Sequence, residues 1–105
     1  MSGLPIVGFV GLSAALLAVG IFGILTRRNF ILLLIAIEIA MNAGILNFVY
    51  FAAYTGGTAG LTGQAIAVVL VGFAATEVAV GLAIVLALNR LRGSINVAEA
   101  TELRR

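Results

Sequence analysis

Two glutamates stand where glutamate is least expected. Glu38 sits in Ile-Ala-Ile-Glu-Ile-Ala-Met-Asn and Glu77 in Phe-Ala-Ala-Thr-Glu-Val-Ala-Val-Gly. Each lies deep inside a long apolar stretch that carries no Lys, Arg or His. A charged side chain at the centre of a bilayer costs roughly 2.5–3.5 kcal/mol on insertion scales and more by simulation. Each acid is therefore expected to face protein or a wet cavity, not lipid. Burial disfavours the charged form of a carboxyl, and a carboxyl held near the balance between its two forms can take up and release protons. Proton relay is the chemistry these residues offer. A second reading is purely structural, in which Glu38 is a neutral helix clamp bonded to Asn42, four residues on and on the same helical face.

Few other chemistries are open to this chain. It has no cysteine and no histidine, so it cannot by itself build an iron–sulfur, c-type haem or zinc site. No nucleophile–base pair can be assembled. Gly56-Gly57 reads as turn material, not as a phosphate-binding loop.

The elements that position the acids follow from composition. Of 105 residues, 63% are hydrophobic and 10% charged, with a mean hydropathy of +1.25; soluble domains are about a quarter charged. A span needs roughly 20 apolar residues to cross about 30 Å of hydrocarbon. The pattern predicts an all-α integral membrane protein of three transmembrane helices, a single membrane domain over residues 1–105. The spans are expected at about 4–25, 30–54 and 64–88, with a break at 26–29, a glycine-rich loop at 55–63 and a polar C-terminal tail at 89–105. The first stretch is not read as a cleaved signal: residues 1–5 carry no base, and such signals begin with a positive region. Arg27 and Arg28 lie in the first break, Arg90 and Arg92 follow the third span, and the loop between spans two and three has no base. Bases stay on the cytoplasmic side, which puts the N-terminus outside and the C-terminus inside. At 1.5 Å per residue, Glu38 lies about 12 Å in from Phe30 and Glu77 about 16 Å in from Leu88. Their depths then differ by about 4 Å, close enough for proton exchange directly or through one or two waters.

Small residues mark the faces. Ala36, Ala40 and Gly44 recur every four positions in the second span, as do Ala75, Ala79, Ala83 and Ala87 in the third. Such ridges let membrane helices approach closely. Both glutamates point about 200° away from their neighbouring ridge residues, so ridge and acid faces each need a protein neighbour. Three helices cannot supply them all, which implies partner chains over the acid faces. Gly81 leaves room beside Glu77, for water or for packing, and Thr76 is placed to bond its own helix backbone. Tyr50 and Tyr54 fit an aromatic belt at the outer interface. The tail spaces Glu99, Glu102, Arg104 and Arg105 among Val97, Ala98, Ala100 and Leu103, as a solvated end or a segment lying on a partner.

Taken together, Arg27-Arg28-Asn29, Ile37-Glu38 with Met41-Asn42-Ala43, Ala74-Ala75-Thr76-Glu77 with Val80-Gly81-Leu82-Ala83, and the tail Glu102-Leu103-Arg104 make the chain resemble subunit K of bacterial NADH:quinone oxidoreductase (respiratory complex I), the ND4L of mitochondria. The resemblance runs over essentially the whole chain. It implies a subunit with no redox centre of its own, in a multisubunit proton-translocating enzyme of the cell inner (plasma) membrane whose quinone, flavin and iron–sulfur clusters belong to partner subunits. It implies a place between the quinone-site and antiporter-like subunits of the membrane arm. Glu38 and Glu77 would act as proton-relay residues, with Arg27, Arg28, Asn42, Thr76 and Gly81 supporting them. The outer loop is richer in glycine than the family's, and Thr76 stands where the family often has Ala.

Related machines use the same subunit type. The corresponding small subunit of multisubunit cation/proton antiporters is the alternative reading, and membrane hydrogenase and coenzyme F420 dehydrogenase subunits are similar. A purely structural assembly subunit is another. Small multidrug transporters have four spans and rotary ATPase ring subunits have two with one acid, so neither fits a three-span, two-acid chain.

Overall fold

The computed structural model describes residues 5–92, and these form three helices: α1 (Ile6–Thr26), α2 (Phe30–Thr55) and α3 (Gly57–Arg92). All three are long and apolar enough to cross a membrane, as their composition predicts. The breaks between them are short and have local causes. Arg27 leaves the helical region with φ −90° and ψ 139°. Asn29 then caps α2, its Oδ1 accepting from the Ile31 N–H at 2.8 Å and the Leu32 N–H at 3.4 Å, which satisfies donors that a helix start leaves open. The second reversal is confined to Gly56 and Gly57, with φ of +72° and +59°, a left-handed conformation that favours glycine.

That reversal changes one expectation. Residues 57–63, read from sequence as most of an outer loop, are helical and open α3. Glycine lowers helix propensity, but here it serves contact. A Cβ at Gly60 would stand 2.9 Å from the Ala52 carbonyl oxygen, and one at Gly63 would stand 2.7 Å from the Ala52 Cβ. Only a glycine surface lets the start of α3 lie against the end of α2. With 36 residues, α3 is about 54 Å long at 1.5 Å per residue, longer than the hydrocarbon core it would cross.

The helices alternate in direction, and α2 packs against both others, while α1 and α3 barely meet. The α1–α2 seam is built on glycine and alanine. Gly20 and Gly23 of α1 lie against Ala36 and Ala40 of α2, so this part of the predicted ridge does bring two helices close. Gly44, its third member, has open space around it. Further along the seam the buried Ser13 donates from Oγ to the Ala43 carbonyl oxygen at 2.7 Å. Phe9 then stacks on Tyr50, ring centroids 4.4 Å apart.

Tyr50 is therefore not the interfacial belt residue expected from sequence. It is buried, at 8% exposure, among Phe9, Phe51 and Tyr54. An aromatic ring near a span end satisfies either a belt or a seam, and the partner ring on α1 decides for the seam.

On α3 the buried positions are Gly60, Ala67, Ala74 and Val85. The ridge Ala75, Ala79, Ala83 and Ala87 is exposed and lies on the side turned from α2. Ala74 and Gly81 do the packing that the ridge was expected to do.

Candidate functional site: two glutamates at one level

The antiparallel register of α2 and α3 is fixed by two contacts. Leu34 fills the space beside Gly81, its Cδ1 2.7 Å from where a Cβ would be, and Ala52 fills the space beside Gly63. In both pairs the residue numbers sum to 115, so position 38 of α2 is level with position 77 of α3. The glutamates share one level, where counting inward from the span ends left a gap of about 4 Å. At this level Glu38 is half-buried and Glu77 is exposed on the chain's own surface.

Level is not contact. Ala59 lies 18 residues before Glu77, about five turns at 3.6 residues per turn, and so on the same line of α3. Ala59 lines a groove with Gly44, Phe51 and Thr55 of α2, which places Glu77 on that flank of the α2–α3 seam. Glu38 lies about 120° around α2 from Gly44, on the other flank. No hydrogen bond joins either carboxyl to another of the described residues. The two carboxyls are level but not hydrogen-bonded to each other. Glu38 stays beside the seam, half-buried and one turn on from Leu34, and Glu77 is exposed on the opposite flank at the same height.

The surroundings of each acid are apolar. Glu77 lies in a shallow groove of about 330 Å³ with Phe73, Thr76, Val80, Gly81 and Ile84. Thr76 Oγ1 donates to the Gly72 carbonyl oxygen at 2.9 Å, as the sequence suggested, so its hydroxyl proton is committed to its own helix. Gly81 borders this groove, but the space opened by its missing side chain is filled by Leu34. Close packing of Leu34 requires that glycine. Asn42 is exposed on α2 and makes no hydrogen bond to Glu38, so the clamp is not formed. The helix order brings Arg27 and Arg28 to the same end of the bundle as Arg90 and Arg92, roughly two turns or more from either glutamate. The tail residues Glu99, Glu102, Arg104 and Arg105 lie outside the described residues.

Two polar residues escaped the sequence reading. Ser13 bridges α1 to α2, and the Asn47 Oδ1 is buried without a hydrogen-bond partner. Both were visible as polar positions inside apolar spans. Their short side chains gave no sign of which helix they would meet. Among the described residues no cluster of His, Cys, Asp or Glu could hold a metal ion.

Comparison with known proteins gives this arrangement a family. Residues 9–105 match the family model for NADH-ubiquinone/plastoquinone oxidoreductase chain 4L. The NADH-quinone oxidoreductase subunit K of Anaeromyxobacter sp. (strain K) is 42% identical over 100 residues, which cover 95% of this chain and 98% of that protein. The subunit K of Bacillus anthracis is 41% identical over 104 residues, 99% of each chain, and that of Geobacillus sp. (strain WCH70) is 39% identical over 104 residues. Matched along nearly its full length in sequence, and built as the three apolar helices its composition predicts, the chain belongs to the NADH-ubiquinone/plastoquinone oxidoreductase chain 4L family.

Proposed function

We propose that this chain is a membrane-arm subunit of a proton-pumping NADH:quinone oxidoreductase, and that Glu38 and Glu77 relay protons laterally across it. The observation that carries the reading is the shared level of the two carboxyls on opposite flanks of the α2–α3 seam. A carboxyl exposed on a membrane helix needs a polar neighbour. An exposed Glu77 level with a half-buried Glu38 supports partner subunits on both flanks, with groups that accept a proton or a charge. A proton arriving at one flank can be matched by one leaving the other. The chain then acts as a link in a series, with flavin, iron–sulfur clusters and the quinone site in partner subunits. Four arginines at one end support placing that end in the cytoplasm, with the chain multi-pass in the bacterial inner membrane.

Glu38→Gln and Glu77→Gln test this in the native complex. Gln keeps shape and hydrogen bonding but cannot release a proton. With assembly verified on a native gel, quinone-coupled proton uptake by membrane vesicles is expected to fall together with turnover in both variants. Assembled variants that pump normally would show that the acids only pack, leaving a structural subunit.

A further inference from the structure

We propose that the groove between α1 and α2 at the arginine end binds one anionic phospholipid, its phosphate on Arg27 and an acyl chain along the groove. The groove, about 330 Å³, is lined by Val19, Phe22, Gly23, Arg27, Leu32, Ile35, Ala36 and Ile39. Every lining side chain but one is apolar, and the exception stands just past the last residue of α1, at the height where a span meets the headgroups. The walls are open: Val19 is 56% exposed and Phe22 61%, while the floor residue Ala36 is 5% exposed. An apolar slot with a cation at its mouth matches a lipid in both shape and charge. A guanidinium holds a phosphate through paired N–H donors, and basic pockets between membrane helices take anionic headgroups in this way.

Charge balance supports the same occupant. The acids among the described residues are Glu38 and Glu77, both well inside the spans of other helices, α2 and α3. Arg27 is exposed, and its guanidinium has no hydrogen bond or ion pair with the described residues. Its counter-charge comes from outside the helices, at membrane-surface height and beside an apolar slot. An acidic side chain of a partner subunit would satisfy the arginine but would leave the slot below it unfilled.

The test uses the intact complex reconstituted in vesicles containing trace photoactivatable phosphatidylglycerol or phosphatidylcholine, each with a diazirine on the acyl chain. Labelled peptides are mapped by mass spectrometry. Phosphatidylglycerol is expected to label the 19–39 region about fivefold more than phosphatidylcholine, the equivalent of about 1 kcal/mol for one basic residue at an anionic surface. Arg27→Gln should bring it down to the phosphatidylcholine level, Arg27→Lys should retain most of the preference, and Val19→Phe, which fills the slot, should remove labelling by both lipids. Excess inorganic phosphate should not compete, because the slot selects the chain as well as the headgroup. Equal labelling by the two lipids in the unaltered complex overturns the proposal without need of any variant. So does an unlabelled groove, as a partner subunit seated there would produce, or a preference that survives Arg27→Gln.

Discussion

Gly20 and Gly23 sit three residues apart on the same face of α1, yet the structure separates them sharply. A methyl group at Gly23 would stand 2.6 Å from the Ala36 Cβ, and the next atom, the Ala36 Cα, is at 3.7 Å. A methyl at Gly20 would stand 2.7 Å from the Ala40 Cβ, 2.7 Å from the Ala40 N and 2.9 Å from the Ala36 carbonyl oxygen. Apolar carbons rest at about 3.5–4.0 Å, so either Gly→Ala change forces the helices apart by about 1 Å. Overpacking of this size costs about 1–3 kcal/mol. The difference appears in the double variants. Ala36→Gly removes the atom that Gly23→Ala strikes and leaves only ordinary contact. Ala40→Gly removes one of three obstacles to Gly20→Ala and leaves the two backbone atoms, which cannot yield. A double-mutant cycle should therefore give a favourable coupling of about 1–2 kcal/mol for the 23–36 pair and little for the 20–40 pair, within the range seen for residues in contact. The cycle also cancels the helix-propensity penalty of the new glycine. The assay is the temperature at which half of the detergent-extracted complex is lost on a native gel, with quinone reductase activity measured alongside. Gly20→Ala should lower both, because Glu38 lies between Ala36 and Ala40 and moves with them. Equal rescue of the two pairs, or a Gly20→Ala complex as stable as the original, would refute this account of the α1–α2 seam.

Two further outcomes follow from the same geometry. Gly81→Ala should cost less than Gly20→Ala, under about 1 kcal/mol, because the obstructing atom is the mobile end of Leu34; the same thermal assay checks it, and a loss as large as that of Gly20→Ala would mean that Leu34 is locked. Ser13→Ala removes a buried cross-helix hydrogen bond, and should lower stability by about 0.6 kcal/mol, the average measured for such bonds in a membrane bundle, and by no more than about 1.7 kcal/mol, while leaving the ratio of protons pumped to quinone reduced unchanged; a changed ratio would give Ser13 a part in proton movement.

Much of this protein can be read along the chain, and the reasons are local. An apolar run of span length has few structures open to it in a bilayer, since backbone groups there must bond within the segment. Arg27-Arg28-Asn29 both interrupts the apolar run and supplies the cap for α2. Glu38 and Glu77 declare themselves by being charged where charge is expensive. What local reasoning misjudged were the positions with two acceptable environments. Gly57, Gly60 and Gly63 suit a loop or a helix pressed against another backbone. Tyr50 suits a membrane surface or a ring stack, and an alanine ridge suits a partner within the chain or beyond it.

Those choices belong to the tertiary structure, because each depends on an atom remote in sequence. Ala52 decides that residues 57–63 are helical contact surface, Phe9 decides that Tyr50 is buried, and Leu34 decides that Gly81 is a packing position. The level of the two acids is of the same kind. The sequence determines that each lies deep within a span, but only the Leu34–Gly81 and Ala52–Gly63 contacts set the register that makes them level. The helical phase at that register then turns them to opposite flanks. Hydropathy fixes how far along a helix a residue stands; which way it faces at that height is fixed by the neighbour the helix packs against.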